Sequence, residues 1–188
     1  MKQVEYIDRK TGARVVESVM GDKALRFAYE TLLGRTLWPV LFGSKAVSAW
    51  MGRRYDAPRS KKDIAALAAI PGCRAEEAEK PLADYASFND FFTRRLKPGA
   101  RPVGEGLVSP ADGRLLLYLD ADADTPFPLK GATRTLRTVF DGAAPAGRYD
   151  VAVIRLAPVD YHRFHFPCAC TTAAPVRVVQ AQGKWKRW

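Results

Sequence analysis

At Pro102 the chain changes its periodicity, and that change limits the fold more than any other feature of its 188 residues. Before it, apolar residues recur at helical spacing. In "DKALRFAYETLLG", Leu25, Ala28, Tyr29, Leu32 and Leu33 fall at i, i+3, i+4, i+7 and i+8, with Asp22 as N-cap and Gly34 as the stop. After it come short runs broken by Gly, Pro and Asp, "RLLLYLD" and "YDVAVIRLAP", which read as strands. In the second run Val151 and Val153 alternate with Ala152, Ile154 and Leu156, so both faces are apolar and a buried strand is expected. Helices over residues 1–86 followed by a mainly antiparallel β-rich part over 87–188 make an α+β protein.

Three further helical stretches are expected before Pro102. "LWPVLFGSKAVSAWMGRRY" is rich in Trp and ends in a basic pair, which suits either internal packing or a place in a bilayer interface. "SKKDIAALAAIPG" opens with Ser60 and Asp63 at capping-box spacing, and "SFNDFFTRRLKPG" repeats the device with Ser87 and Asp90. The most apolar region, 24–51, is interrupted by Arg26, Glu30, Arg35 and Lys45, so no spanning helix is expected there.

Lys and Arg number 30 against 20 for Asp and Glu, a net charge of +10, which favours an anionic partner. The basic residues form scattered knots without a zinc-finger or RNA-recognition signature, so an anionic phospholipid surface is expected and nucleic acid is not. Three cysteines, and a start "MKQVEYIDRK" without an apolar signal, fit a reduced, cytosol-facing setting.

Two stretches carry residues capable of chemistry. "VSPADGRLLLY" holds a Pro-x-Asp-Gly turn, in which Asp112 is explained as a turn former between strands. "DYHRFHFPC" holds the chain's two histidines, His162 and His165. Residues three apart in an extended segment face opposite sides, so the two imidazoles need not share a task. Packing among Tyr161, Phe164 and Phe166 is the competing explanation. A zinc set of His162, His165, Cys168 and Cys170 is disfavoured, because four ligands within nine residues, stiffened by Pro167, do not easily surround one ion.

Taken in order, "FNDFFTRRL", "RPV", "VSPADG", "LKG" and "RLAPVDYHRFHFP" resemble the motifs of the phosphatidylserine decarboxylase family. The resemblance implies a pyruvoyl enzyme that cuts its own chain before a serine and then converts phosphatidylserine to phosphatidylethanolamine. It assigns Asp112 and His165 to a protease-like triad for the cut and His162 to the decarboxylation step. The residue types suit those tasks: an imidazole accepts the serine proton while a carboxylate supports the imidazolium. The family's serine lies in a later Gly-Ser-Thr. This sequence ends in "VVQAQGKWKRW", and its one Gly-Ser pair, Gly43-Ser44, lies upstream in a helical region. The expectation is therefore a decarboxylase homologue incomplete at its C-terminal end, without its own pyruvoyl-forming serine and inactive alone. It would be bacterial and peripheral, on the cytoplasmic face of the membrane, and compatible with a homo-oligomer. A missing run of strands would also leave sheet edges unpaired.

Overall fold

The computed structural model describes residues 5–17, 44–129, 132–140 and 146–171, together with Thr31, Gly142 and Ala144. The helix expected over 22–34 lies outside the described residues, as do the Lys130-Gly131 pair of "LKG" and the terminal "VVQAQGKWKRW". Helices and antiparallel strand pairs coexist, so the α+β class holds.

The chain forms two compact units, Met1–Gly113 with Leu156–Cys168, and Arg114–Arg155 with Ala169–Trp188. The first opens with a hairpin of β1 (Glu5–Ile7) and β2 (Arg14–Val16), whose register pairs Tyr6 with Val15. "DRKTG" closes it, Asp8 Oδ1 accepting from the Lys10 and Thr11 backbones at 2.9 Å. These bonds hold the Asp8 carboxyl below its usual pKa.

Helix α1 (Lys45–Asp56) comes next, then a 3-10 turn (Pro58–Asp63) running into α2 (Ile64–Ala68). Asp63 makes no side-chain cap, and Ser60 is no cap either: its buried hydroxyl donates to the Tyr55 and Ala57 carbonyls and accepts from the Phe88 backbone at 2.9 Å. Capping-box spacing misleads here because Pro58 starts the turn two residues earlier, which carries Ser60 inward. In α3 (Phe88–Phe92) the expectation holds. Ser87 accepts from the Asp90 backbone, while the Asp90 carboxylate accepts from Ala86. That helix stops at Phe92, five residues before Lys97, because the chain bends to send Arg94 inside and then pairs Leu96 with Ala78 in a β-bridge.

The core of this unit is Ile64, Leu67, Cys73, Tyr85, Phe88 and Phe91, joined by Ala157 and Val159 from the distant "RLAPVD" stretch. Its aromatics pack at preferred geometries: Tyr85 meets Phe91 edge-on at 5.3 Å, and Phe88 lies 4.9 Å from Tyr55. Cys73 is buried, and desolvation pushes its thiol pKa up, against a smaller opposing pull from Arg94. Cys168 and Cys170 are free and exposed. At neutral pH a thiol reagent should therefore label Cys168 and Cys170 promptly and Cys73 only on unfolding. Peptide mapping after brief labelling checks this, and early label on Cys73 would contradict the buried core.

The second unit pairs β3 (Arg114–Ala121) antiparallel with β6 (Tyr149–Arg155), and β4 (Phe127–Leu129) with β5 (Ala132–Arg134). A bulge falls between Tyr118 and Ala121, where Asp120 adopts φ 51°. Arg148 grips the Asp120 carboxylate there through two bonds of 2.7 Å and also donates to the Asp120 carbonyl. Helix α4 (Leu136–Val139) begins with a Thr135/Thr138 capping box.

The strand expected to be buried is not. β6 alternates half-buried and exposed positions, and opposite it Leu115, Leu117 and Leu119 are at least half exposed. Its apolar pattern asks for cover on both faces, and among the described residues the ribbon has only two strands.

Candidate active site

The "DYHRFHFP" segment is irregular and held from two directions within the first unit. Its entry is a turn closed by Asp160, whose Oδ2 accepts from the Ala157 backbone at 2.6 Å while its own N–H returns to the Ala157 carbonyl at 2.9 Å. The end of α3 then brackets the next two residues but one, His162 and Arg163. The Phe92 ring lies 4.0 Å from the His162 ring, and the Thr93 carbonyl accepts from Arg163 Nε at 2.8 Å. Arg94, 3% exposed, donates to the Cys73 carbonyl at 2.7 Å, reaches the Val159 carbonyl at 3.5 Å and stacks over Phe91 at 4.9 Å. "FFTRR" and "VDYHR", about seventy positions apart, are one structural device.

The far end of the segment runs beside "VSPADG". His165 N–H donates to the Pro110 carbonyl at 2.9 Å, and Val108 N–H to the Pro167 carbonyl at 2.8 Å. The backbones of the aspartate and histidine motifs thus meet. Their side chains do not bond. His165 is exposed and its Nδ1 faces the Phe166 carbonyl at 2.8 Å, whereas the Asp112 carboxylate is bound by Arg101.

The two histidines have different surroundings, as opposite facing implies. His162 is half-buried against Phe92 with Nδ1 on the Asp160 carbonyl at 3.0 Å, and His165 stands in solvent. A carbonyl only accepts, so in the neutral state each Nδ1 carries the proton and each Nε2 keeps its lone pair. Neither Nε2 has a partner among the described residues. Both imidazoles are thus presented in the tautomer that a base acting through Nε2 requires.

The turn before β3 is not the strand-to-strand hairpin its sequence suggests, since the irregular segment 108–110 precedes it. Gly113 takes φ 146°, a conformation glycine tolerates. Arg101, from "RPV", makes Asp112 part of a charge cluster that spacing does not announce. Its guanidinium also bonds Glu77 Oε2 at 2.7 Å, and Glu77 Oε1 lies 3.6 Å from Arg74. Hydrogen bonding to Asp112 is the main cause of the upward shift in the Arg101 pKa. Spacing gives no role to Asp160, Phe92 or Arg94 either, and Arg94, set between Thr93 and Arg95, carries no local sign of burial.

A cavity of about 360 Å³ lies in the second unit between α4 and β6, lined by Leu136, Phe140, Tyr149 and Val151 among others. It holds none of Asp112, His162 or His165 and is not the site. Among the described residues no helix is long and apolar enough to cross a membrane.

The phosphatidylserine decarboxylase family profile matches residues 88–183, which include all three motif side chains. A phosphatidylserine decarboxylase proenzyme of Fusobacterium nucleatum is 40% identical over 172 residues, 88% of this chain and 57% of the relative. One from Desulfitobacterium hafniense is 37% identical over 169 residues, covering 87% and 57%, and one from Chlamydia trachomatis is 36% identical over 183 residues, covering 94% and 61%. The chain spans about three-fifths of the length of these bacterial relatives. With the motif order, the meeting of the aspartate and histidine segments and a profile match over half its length, this chain belongs to the phosphatidylserine decarboxylase family.

Proposed function

We propose that the 188-residue chain is the Asp- and His-bearing part of a pyruvoyl-dependent phosphatidylserine decarboxylase working at an anionic membrane surface, and that it is inactive alone. The observation that carries the reading is the backbone bond from His165 to Pro110, which brings two separate family motifs side by side. In this reading His165 Nε2 takes the proton of a serine hydroxyl, and Asp112 supports the resulting imidazolium. His162, steadied by Phe92 and the Asp160 carbonyl, once protonated at Nε2 returns that proton to the substrate carbon. A pyruvoyl group, when present, supplies the electron sink as carbon dioxide leaves. The 188 residues contain no Gly-Ser-Thr from which to make one, so the group does not fit this chain as it stands.

The lipid surface is part of the proposal. Trp50 is 52% exposed on α1, and Arg53 and Arg54 in its last turn are exposed too, an arrangement suited to a headgroup layer. The same face supports a second reading, a basic lipid-binding module without catalysis. Three unpaired thiols suit a cytosol-facing position.

One experiment addresses both readings. The purified chain is floated with vesicles containing phosphatidylserine, with neutral vesicles, and with a separate polypeptide carrying the family's Gly-Ser-Thr segment. Alone, the chain should bind the anionic vesicles, release on added salt, and yield neither ethanolamine lipid nor a shortened fragment. Turnover should appear with the second polypeptide under the first reading and stay absent under the second. Turnover by the chain alone would overturn the proposed inactivity, and equal flotation with neutral vesicles would remove the charged surface.

A further inference from the structure

The proposed catalysis needs the Asp112 carboxylate at the His165 imidazole, and the structure gives it to Arg101. Arg101 Nε lies 3.0 Å from both carboxylate oxygens and Nη2 lies 2.7 Å from Oδ2. Nη1 is engaged as well, with Glu77 Oε2 and the Ala100 carbonyl, each at 2.7 Å. Both partners are 28% exposed, so solvent screens the pair only in part.

The charges of the cluster also balance. Arg74 and Arg101 face Glu77 and Asp112, two cations against two anions, leaving no net negative charge to draw an imidazolium. Around His165, the facing segment 108–110 has no titratable side chain, and on its own segment Arg163 is directed to the Thr93 carbonyl. Asp112 lies two residues from the Pro110 carbonyl that accepts from His165 N–H, and its carboxylate is occupied.

We propose that Arg101 is a latch on Asp112: while the ion pair is closed the carboxylate and the His165 imidazole are uncoupled, and coupling requires Arg101 to release it. This rests on the reading of Asp112 as the partner of His165 and makes Arg101 a positioning residue. Release frees a charge two residues along the chain from the backbone bond that already ties the motifs together.

The chain has only two histidines, so imidazole NMR of the 188-residue protein reads each one separately. The forms compared are the unaltered chain, Asp112→Asn, Arg101→Gln, the double variant and Arg101→Lys. Asp112→Asn alone should leave the His165 titration midpoint in place. Arg101→Gln should raise it by about one pH unit, since an unpaired carboxylate then favours the imidazolium, and adding Asp112→Asn should cancel the rise. His162 should hold its midpoint throughout, which separates unlatching from general damage.

A fall in the His165 midpoint with Asp112→Asn alone would show the groups already coupled and overturn the latch. An unchanged midpoint in Arg101→Gln would overturn it too. Should Arg101→Gln unfold, losing the distinct signals of both histidines, Arg101→Lys decides: a point charge without the planar fork should give a smaller rise, and none refutes the proposal. Because the readout is coupling, a failed latch leaves the vesicle experiment to judge the decarboxylase reading separately.

Discussion

Phe91→Ala is expected to destabilise the first unit by about 3–5 kcal/mol, a large fraction of what a domain possesses. Phe91 is 0% exposed, meets Tyr85 edge-on at 5.3 Å and supports the Arg94 guanidinium at 4.9 Å. Truncation removes the burial of a whole ring, leaves a cavity among Tyr85, Leu67 and Cys73, and strips the cation of its aromatic face. Leu119→Ala in the second unit is the contrast. Leu119 is 67% exposed, and its loss should change stability by no more than about 0.5 kcal/mol. Urea unfolding followed by near-UV circular dichroism compares the two. Equal effects would mean that burial in this core does not govern its stability.

Arg94→Ala is the second large effect, expected at about 2 kcal/mol. The bond to the Cys73 carbonyl contributes about 1.5 kcal/mol or more as a charged donor, and the contact with Phe91 adds about 1 kcal/mol. Against these stands the burden of a buried cation, since Arg94 Nε and Nη1 have no hydrogen-bond partner among the described residues. The favourable contributions prevail because truncation also empties the volume of a side chain that is 3% exposed. Arg94→Met, which keeps that volume while orphaning the Cys73 carbonyl, should therefore destabilise by about 1 kcal/mol. Amide exchange at Asp160 and His162 should quicken in both, because the Val159 carbonyl loses its contact. Wild-type stability and exchange in Arg94→Ala would remove this residue as the anchor of the histidine loop.

Local features are largely legible in the sequence. The Ser87 cap, the strands "RLLLYLD" and "YDVAVIR" and the separation of the two histidines come from rules spanning a few residues, and the structure has them. Ser60 escapes those rules because its partner, the Phe88 backbone, lies 28 positions away, and no local spacing encodes that bond. β6 escapes them for a related reason: apolar residues on both faces state a demand for cover, not whether cover is supplied.

Motif order alone determined the family, and residue type alone nominated Asp112, His162 and His165. Which group each side chain touches was decided in three dimensions. Arg101 takes the carboxylate, Phe92 takes one imidazole, and the other, among the described residues, meets the Phe166 carbonyl and is otherwise exposed. A sequence specifies which donors and acceptors exist, but the competition among them depends on distance and desolvation, and those are properties of the folded chain.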